Sequence, residues 1–225
     1  MKKVIILFFS SIGLLLIISI FFYIFYQDPF YYIKPGIKVE QIKLNSDGDR
    51  DGISDLEDIV QGARNEVTNG TKYKDAYYSG GYPPNGEGVC TDVIWRALKN
   101  AGYDLKKSMD EDIKNHIASY PAVVSPDPNI DFRRVKNQLV FFQRNATELT
   151  LEVIPNDAEN LKQWQGGDII VLHNPDHVAV ISDKRRKDGV PYIIHNARSF
   201  AKEENLLMFW YNAHKIVGHF RYPKG

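Results

Sequence analysis

The spacing of apolar residues changes once along this chain, before Gly167, and that change constrains the fold. Upstream, apolar residues recur at helical spacing in Leu56–Val67, in the segment after Cys90, in a short run at Asp110–Tyr120 and in Phe132–Arg144. Downstream, short apolar runs separated by turn residues are typical of strands: Asp168–Leu172, His177–Ser182, Tyr192–Asn196 and Ile216–Tyr222. Helices followed by an antiparallel sheet predict an α+β domain.

The first 26 residues are predicted to lie outside this domain. Val4–Tyr26 carries no charged side chain, and about 20 apolar residues suffice to cross a bilayer as a helix. Lys2 and Lys3 precede this run, and basic residues favour the cytoplasmic side. No small-residue cleavage site follows it. The sequence therefore predicts a transmembrane signal-anchor over residues 1–26, with the rest of the chain outside the cytoplasm at the cell membrane.

The composition of the whole chain bounds its function. Basic and acidic residues number 28 each, so the formal charge is zero and no basic surface indicates nucleic-acid binding. Residues 27–58, with Pro29 and Pro35, are predicted to form a tether that contains an acidic loop. Residues 59–225 are long enough for one ordinary domain.

Cys90 is the only cysteine of the chain, and it follows a glycine-rich turn at the predicted start of a helix. A thiol at a helix N-terminus is favoured as thiolate by the helix dipole and by nearby N–H groups. A single cysteine in an exported protein has no internal disulfide partner. The sequence therefore favours a reactive thiol over a buried core cysteine.

Two histidines on neighbouring predicted strands supply a base. His177 opens one strand and His195 ends the next, and facing side chains on paired strands lie within about 5 Å. We predict that Cys90 is the nucleophile, His177 the base and His195 the residue that orients it, with Asn196 as second choice. A zinc site on His173, His177 and His195 is the alternative.

Seven short segments form an ordered set of motifs. They are Tyr78-Ser-Gly-Gly, Gly88-Val-Cys-Thr-Asp-Val, Asn129-Ile-Asp-Phe-Arg-Arg-Val, Gly167-Asp-Ile-Ile-Val, His177-Val-Ala-Val-Ile-Ser-Asp, Ile194-His-Asn and Gly218-His-Phe-Arg-Tyr. Together they resemble a bacterial family that is known only as a domain of unknown function and is similar to the NlpC-type cell-wall peptidases, over roughly Ile59–Pro223. The resemblance implies a papain-like domain, in which a helix that begins with the nucleophile packs on an antiparallel sheet. It also implies Cys90, His177 and His195 as the catalytic residues.

Five further residues are predicted to contact substrate. The resemblance implies this role for Tyr77 or Tyr78, which precede a Gly-Gly pair. Arg133 and Arg134 are expected either to bind a substrate carboxylate through paired hydrogen bonds or to form structural ion pairs. Asp92, in the first turn of the Cys90 helix, is expected either to cap that helix or to hold substrate.

A second motif, residues 47–58, has the spacing of a calcium loop. Carboxylates at alternate positions converge on one ion, and Gly52 allows the sharp turn between them. The predicted ligands are Asp47, Asp49, Asp51, the carbonyl oxygen of Ile53, Asp55 and Asp58. The alternative is an acidic, solvated helix N-terminus.

Together these patterns predict a membrane-anchored, extracytoplasmic cysteine hydrolase that cleaves amide bonds. Location and resemblance both favour the stem peptides of peptidoglycan as substrate. The backbone N–H of Cys90 is the expected oxyanion donor, and no cofactor is expected for catalysis, with Ca²⁺ only at the acidic loop. The alternatives are a thiol acyltransferase or esterase that acts on lipid or ester substrates, and a non-catalytic wall-binding module.

Overall fold

The structure, a computed structural model, describes residues 13–14, 35–42, 44 and 46–224. The chain divides into two units, Met1–Gly36 and Ile37–Gly225, and every element below belongs to the second. Its helices are α1 Asp55–Thr68, α2 Cys90–Asn100, α3 Leu105–Asn115, α4 Val135–Asn145, α5 Ala158–Lys162 and α6 Leu207–Asn212. Short 3-10 helices cover Ile117–Ser119 and Asp131–Arg133. Its strands are β1 Lys72–Tyr73, β2 Glu87–Gly88, β3 Thr147–Glu148, β4 Ile169–Leu172, β5 His177–Arg185, β6 Pro191–Ala197, β7 Phe200–Glu204 and β8 Ile216–Arg221.

The eight strands form one sheet, in the order β2-β1-β7-β6-β5-β4-β8-β3. Strands β1 and β2 run parallel, and the other neighbouring pairs are antiparallel. In the centre, Val180 of β5 lies opposite Ile194 of β6, and His195 lies opposite Lys202 of β7. This register places the start of β5, the end of β6 and the charged half of β7 side by side.

Both faces of the central sheet are covered. On β4, Ile169 and Val171 pack in the cluster that includes α1 and α2, whereas Ile170 and Leu172 pack on the other side around Trp164. All four β4 residues are buried. This explains why β4 is a continuous apolar run rather than an alternating one.

Helix α2 is held between α1 and the sheet, where it contacts both α1 and β5. Its buried apolar residues Val93, Ile94, Ala97 and Leu98 recur at helical spacing. The close approach to α1 depends on Gly62, because a Cβ atom there would lie 2.9 Å from the Cα atom of Ala97. This packing fixes the position of α2, which begins with Cys90.

The predicted α+β fold class, a papain-like helix-plus-antiparallel-sheet domain after one transmembrane helix, is wrong. The sheet is mixed, and helices and strands are interleaved along the chain, since α6 lies between β7 and β8. The parallel strands β1 and β2 have two residues each, too few to show an alternating pattern. The architecture is mixed α/β.

The prediction of a single-pass membrane protein with an extracytoplasmic catalytic domain also needs correction. Among the helices that the structure describes, none has the length and apolar composition needed to cross a bilayer. The longest, α1, has 14 residues, against about 20 for a spanning helix. The predicted anchor, Val4–Tyr26, lies outside the described residues apart from Gly13 and Leu14. The anchor and the localisation derived from it are therefore not supported.

We predict that Gly62→Ala destabilises the protein by about 1–2 kcal/mol. Alanine favours a helix over glycine by about 1 kcal/mol. The added methyl group, however, would collide with the α2 backbone, so we expect a cost in the upper part of the range of about 1–3 kcal/mol for overpacking. Urea unfolding at unchanged m value measures the difference. Gln61→Ala, at an exposed neighbouring position of α1, should stay within about 0.5 kcal/mol of the wild type. Equal stability of Gly62→Ala and wild type would show that α1 and α2 do not pack this closely.

Candidate active site

Helix α2 begins at Cys90, and the carboxylate of Asp92 caps it. Val89 is extended, and its backbone N–H donates a 2.7 Å hydrogen bond to Asp92 Oδ2. The indole N–H of Trp95 donates to Asp92 Oδ1 at 2.9 Å. Because the first N–H groups of a helix have no partner within it, this carboxylate fixes where the helix starts.

Arg133 completes the environment of Asp92. Its Nε and Nη2 donate to Oδ1 and Oδ2 at 2.7 and 2.8 Å, and its Nη1 donates to the carbonyl of Ala76 at 2.8 Å. Both side chains of this ion pair are 1% exposed. The geometry favours capping for Asp92 and a structural ion pair for Arg133, over contact with substrate. Arg134 is more exposed and donates to Asp131 at 3.0 Å.

The Cys90 side chain is buried, and its sulfur is a neutral thiol rather than a thiolate. Burial raises the pKa of Cys90 to about 11, opposed by hydrogen bonding from the backbone N–H groups of Val178, Thr91 and Cys90 itself and reinforced by the charge of Asp92. The residue is 7% exposed and packs in the same cluster as Val178. The expectation of a resting thiolate is therefore wrong, and the group is a thiol at neutral pH.

A hydrogen-bonded series of three side chains crosses β5, β6 and β7. His177 Nε2 lies 2.7 Å from His195 Nδ1, which is the contact predicted from strand pairing. His195 Nε2 lies 3.0 Å from Glu204 Oε2. His195 and Glu204 are diagonal neighbours on paired strands, since His195 stands opposite Lys202.

The protonation state of this series follows from burial and from Glu204. Burial, and then the charge of a protonated His195, lower the pKa of His177 to about 3. Burial also lowers the pKa of His195, although the hydrogen bond to Glu204 opposes this. Both rings are thus neutral, with one N–H each. A carboxylate only accepts, so His195 donates from Nε2 and accepts at Nδ1, and His177 donates from Nε2. The free lone pair of His177 is then on Nδ1.

The Cys90 sulfur lies next to the first peptide group of β5. The N–H of Val178 that acts on Cys90 belongs to the peptide bond between His177 and Val178. Among the described side chains, no hydrogen bond joins the Cys90 sulfur to either histidine ring. Catalytic hydrogen bonds are often long in a free enzyme and shorten when substrate binds.

The other two polar candidates near the histidines have different surroundings. Asn196 donates from Nδ2 to Gly88 O at 3.0 Å and to Thr71 O at 3.3 Å, so it supports the loop before Cys90 rather than His177. His173 is exposed and pairs with Asp176 at 3.0 Å. Within the described residues, only the acidic loop brings three metal-binding side chains together, so the zinc alternative has no support.

Tyr77 and Tyr78 precede helix α2 on a loop. Tyr77 is exposed, and its hydroxyl lies 3.1 Å from Asp127 Oδ2. The Tyr78 hydroxyl donates to Glu87 at 3.2 Å, and its ring lies 5.0 Å from the guanidinium of Arg133. Contact of either tyrosine with substrate stays a prediction.

Two residues near the site were missed from the sequence, Glu204 and Tyr73. Burial raises the pKa of Tyr73, and so do the charges of Cys90, Asp75 and Asp92, which places this tyrosine near the sulfur. The sequence signal for Tyr73 was the position of this residue just after Gly70-Thr-Lys and before the glycine-rich turn. The signal for Glu204 was a run of charged residues directly after the His195 strand.

The acidic loop brings three of its predicted ligands together. Asp47, Asp49 and Asp51 offer carboxylate oxygens that all lie within 4.8 Å of one another. Gly52 has a φ angle of +95°, the left-handed turn for which glycine was predicted. Ile53 is exposed.

The last two predicted ligands, Asp55 and Asp58, differ from each other. Asp55 accepts from Gly48 N at 2.8 Å and from the Tyr103 hydroxyl at 2.7 Å, so both of its oxygens are engaged. Asp58 is 5% exposed, and its buried Oδ2 has no hydrogen-bond partner.

Comparison with known proteins identifies a family. A family model described as "Domain of unknown function (DUF1287)" matches residues 60–222. "Uncharacterized protein YijF" of Escherichia coli (strain K12) is 37% identical over 174 residues, which cover 73% of this chain and 80% of that protein. No solved structure matches. None of these comparisons links the chain to NlpC-type peptidases.

We predict that Arg133→Ala destabilises the protein by about 3–5 kcal/mol, because it leaves the buried charge of Asp92 without its partner. Lys136→Ala, which removes an exposed cation on α4, should stay within about 0.5 kcal/mol of the wild type. Urea unfolding of both variants measures this difference. Equal stabilities would rule out a structural role for the Asp92–Arg133 pair.

Proposed function

We propose that this chain, which belongs to the DUF1287 family, is a cysteine hydrolase that cleaves amide bonds. One observation carries the proposal. The Cys90 sulfur, at the start of a helix, adjoins the peptide group of His177, and a hydrogen-bonded series continues from His177 through His195 to Glu204. A nucleophile, a base and a residue that orients the base are the parts that acyl transfer requires.

The first step is attack by a thiol that is neutral at rest. As the sulfur approaches an amide carbonyl carbon, the lone pair on His177 Nδ1 accepts the thiol proton. The positive charge that forms on His177 is stabilised through His195 by the carboxylate of Glu204. Proton transfer thus accompanies the formation of the S–C bond and does not precede it.

The negative charge of the tetrahedral intermediate needs hydrogen-bond donors. The backbone N–H groups of Cys90, Thr91 and Val178, which act on the sulfur at rest, are the donors we assign. Backbone N–H groups fixed by a helix start and a strand need no rearrangement during the reaction. Their loss is not testable by side-chain replacement, so the test of the mechanism rests on the side chains.

The remaining steps return the enzyme to its initial state. Protonated His177 gives its proton to the leaving amine as the C–N bond breaks, which leaves a thioester on Cys90. Water then attacks the thioester while His177 accepts one of its protons. The acid is released, and that proton returns to the sulfur.

We assign the stem peptides of peptidoglycan as substrate. The support is the motif resemblance to NlpC-type cell-wall peptidases, in which the order is Cys, His and a third polar residue. Cys90, His177 and His195 follow this order. The same chemistry on an ester or lipid substrate would make the chain an acyltransferase or esterase.

The burial of Cys90 favours a second candidate, a non-catalytic wall-binding module. A buried thiol with a raised pKa and no hydrogen bond to His177 is what an inert core cysteine would show. In that case His177, His195 and Glu204 would only hold β5, β6 and β7 together. The two candidates differ in whether Cys90 is needed for turnover.

We predict that Cys90→Ala abolishes the release of peptide fragments from peptidoglycan while the protein stays folded. His177→Ala should lower the rate at least 10²-fold, the scale of general acid–base catalysis, and Glu204→Gln should lower it less. Mass spectrometry of products from the full-length chain measures this, with His116→Ala, a histidine that pairs with Asp112, as the matched control.

The products separate the candidates. New amine and carboxyl ends in wall peptides support the peptidase, whereas fatty acid released from lipids supports the esterase. Binding to walls with no product from the wild type would support the non-catalytic module and contradict the hydrolase.

We predict that alkylation of Cys90 by iodoacetamide accelerates about tenfold per pH unit from pH 7 to 10. A pKa raised to about 11 leaves about one thiol in 10⁴ ionised at pH 7, and His177 stays neutral throughout this range. In urea the alkylation rate of the same thiol should level off near its ordinary pKa of 9.0. A plateau that begins below pH 8 in the folded protein would instead indicate a thiolate–imidazolium pair.

A further inference from the structure

The acidic loop has the dimensions of a calcium site. Ca²⁺ binds oxygen ligands at about 2.3–2.6 Å, so two ligands on opposite sides of the ion are about 4.6–5.2 Å apart. The carboxylate oxygens of Asp47, Asp49 and Asp51 all lie within 4.8 Å of one another. This is the scale of the separations between ligands around one such ion.

Asp58 supplies an observation that is independent of this cluster. It lies on the first turns of α1, is 5% exposed, and its Oδ2 has no hydrogen-bond partner. A buried polar atom without a partner is costly, and more so in a carboxylate. Asp51, Asp49, Asp55 and Asp47 all lie near enough for their charges to act on Asp58, and a cation among them would give this oxygen a partner.

Asp55 has a different task from the one its position in the motif predicts. Its two oxygens accept from Gly48 N and the Tyr103 hydroxyl. Its bond to Tyr103, which lies outside the loop, braces the loop against the segment that follows α2, whereas the hydrogen bonds to Asp47 come from N–H groups of the loop itself. The loop packs closely there, since a Cβ at Gly48 would lie 2.8 Å from the carbonyl oxygen of Ala101.

We propose that residues 47–58 bind one Ca²⁺ through Asp47, Asp49, Asp51 and Asp58, with Asp55 as a brace, and that the ion locks this loop against the C-terminal end of α2. The sequence spacing adds the carbonyl of Ile53 as a further ligand. An ion held by several carboxylates of the protein is characteristic of Ca²⁺, because Mg²⁺ keeps most of its water. The site lies before the family region 60–222 and does not depend on the proposed hydrolase activity.

The test is calcium binding by the full-length chain after treatment with a chelator. Titration calorimetry with CaCl₂ should give a Kd of about 10⁻⁴–10⁻³ M, the weak end of the range for calcium loops. Asp49→Asn and Asp58→Asn should each raise the Kd at least tenfold. Glu111→Gln, an exposed carboxylate on α3, should leave the Kd unchanged.

Thermal unfolding separates ion binding from a merely structural role. The change in Tm caused by Asp58→Asn should depend on Ca²⁺ only if Asp58 binds the ion. In chelator, Asp58→Asn should melt at or above the wild type, because it removes a buried charge without a partner. In 10 mM CaCl₂ it should melt below the wild type, which the ion stabilises. Asp55→Asn should melt lower in both conditions, since its hydrogen bonds are present without the ion.

Three results would overturn the proposal. These are no binding heat and no change in Tm up to 10 mM CaCl₂, wild-type affinity in Asp49→Asn and Asp58→Asn, or a Kd for MgCl₂ equal to that for CaCl₂. None of these results bears on peptidoglycan cleavage, which is measured separately.

Discussion

The buried carboxylate of Asp92 is the group on which the geometry of the site depends. It accepts from the N–H of Val89, the indole of Trp95 and the guanidinium of Arg133. A buried ion pair adds little net stability, because desolvation offsets the Coulomb attraction, but it is costly to break. Its effect is therefore positional. It fixes the first turn of α2 and, through Arg133, the loop that carries Ala76, so that Cys90 has one place relative to β5.

Periodicity predicted the parts of the site that lie on long, regular elements. The helix that starts at Cys90, the strands that carry His177 and His195, and the contact between these rings all follow from apolar spacing and strand pairing. Strand β7 could not be predicted in this way, because its Lys-Glu-Glu run has weak strand propensity and no clear alternation of apolar and polar residues. Glu204 was missed for that reason. Whether a cysteine is buried is a tertiary property that no local pattern contains.

Two effects oppose each other at Cys90: the helix N-terminus favours a thiolate, and burial favours the neutral thiol. A helix N-terminus stabilises an anion by about 0.3–1 kcal/mol, and up to about 2 kcal/mol when partly buried. A pKa raised from 9.0 to about 11 corresponds to roughly 3 kcal/mol in the other direction. Burial is therefore the larger effect, even after backbone N–H groups have acted on the sulfur. In the proposed mechanism a thiol that is neutral at rest needs a neutral base, and the lowered pKa of His177 is consistent with that role.

The acidic loop and the sulfur lie at opposite ends of α2, and this separation decides how one can affect the other. Eleven helical residues span about 16 Å. A divalent ion at that distance acts on a unit charge by only about 0.5 kcal/mol in water, and salt with a screening length of about 8 Å reduces this further. An ion beside Asp49 therefore has little influence on the pKa of Cys90. A bound ion would act on the position of Cys90 mechanically, because the loop packs at Gly48 and Gly102 against the end of the helix and so restrains the helix.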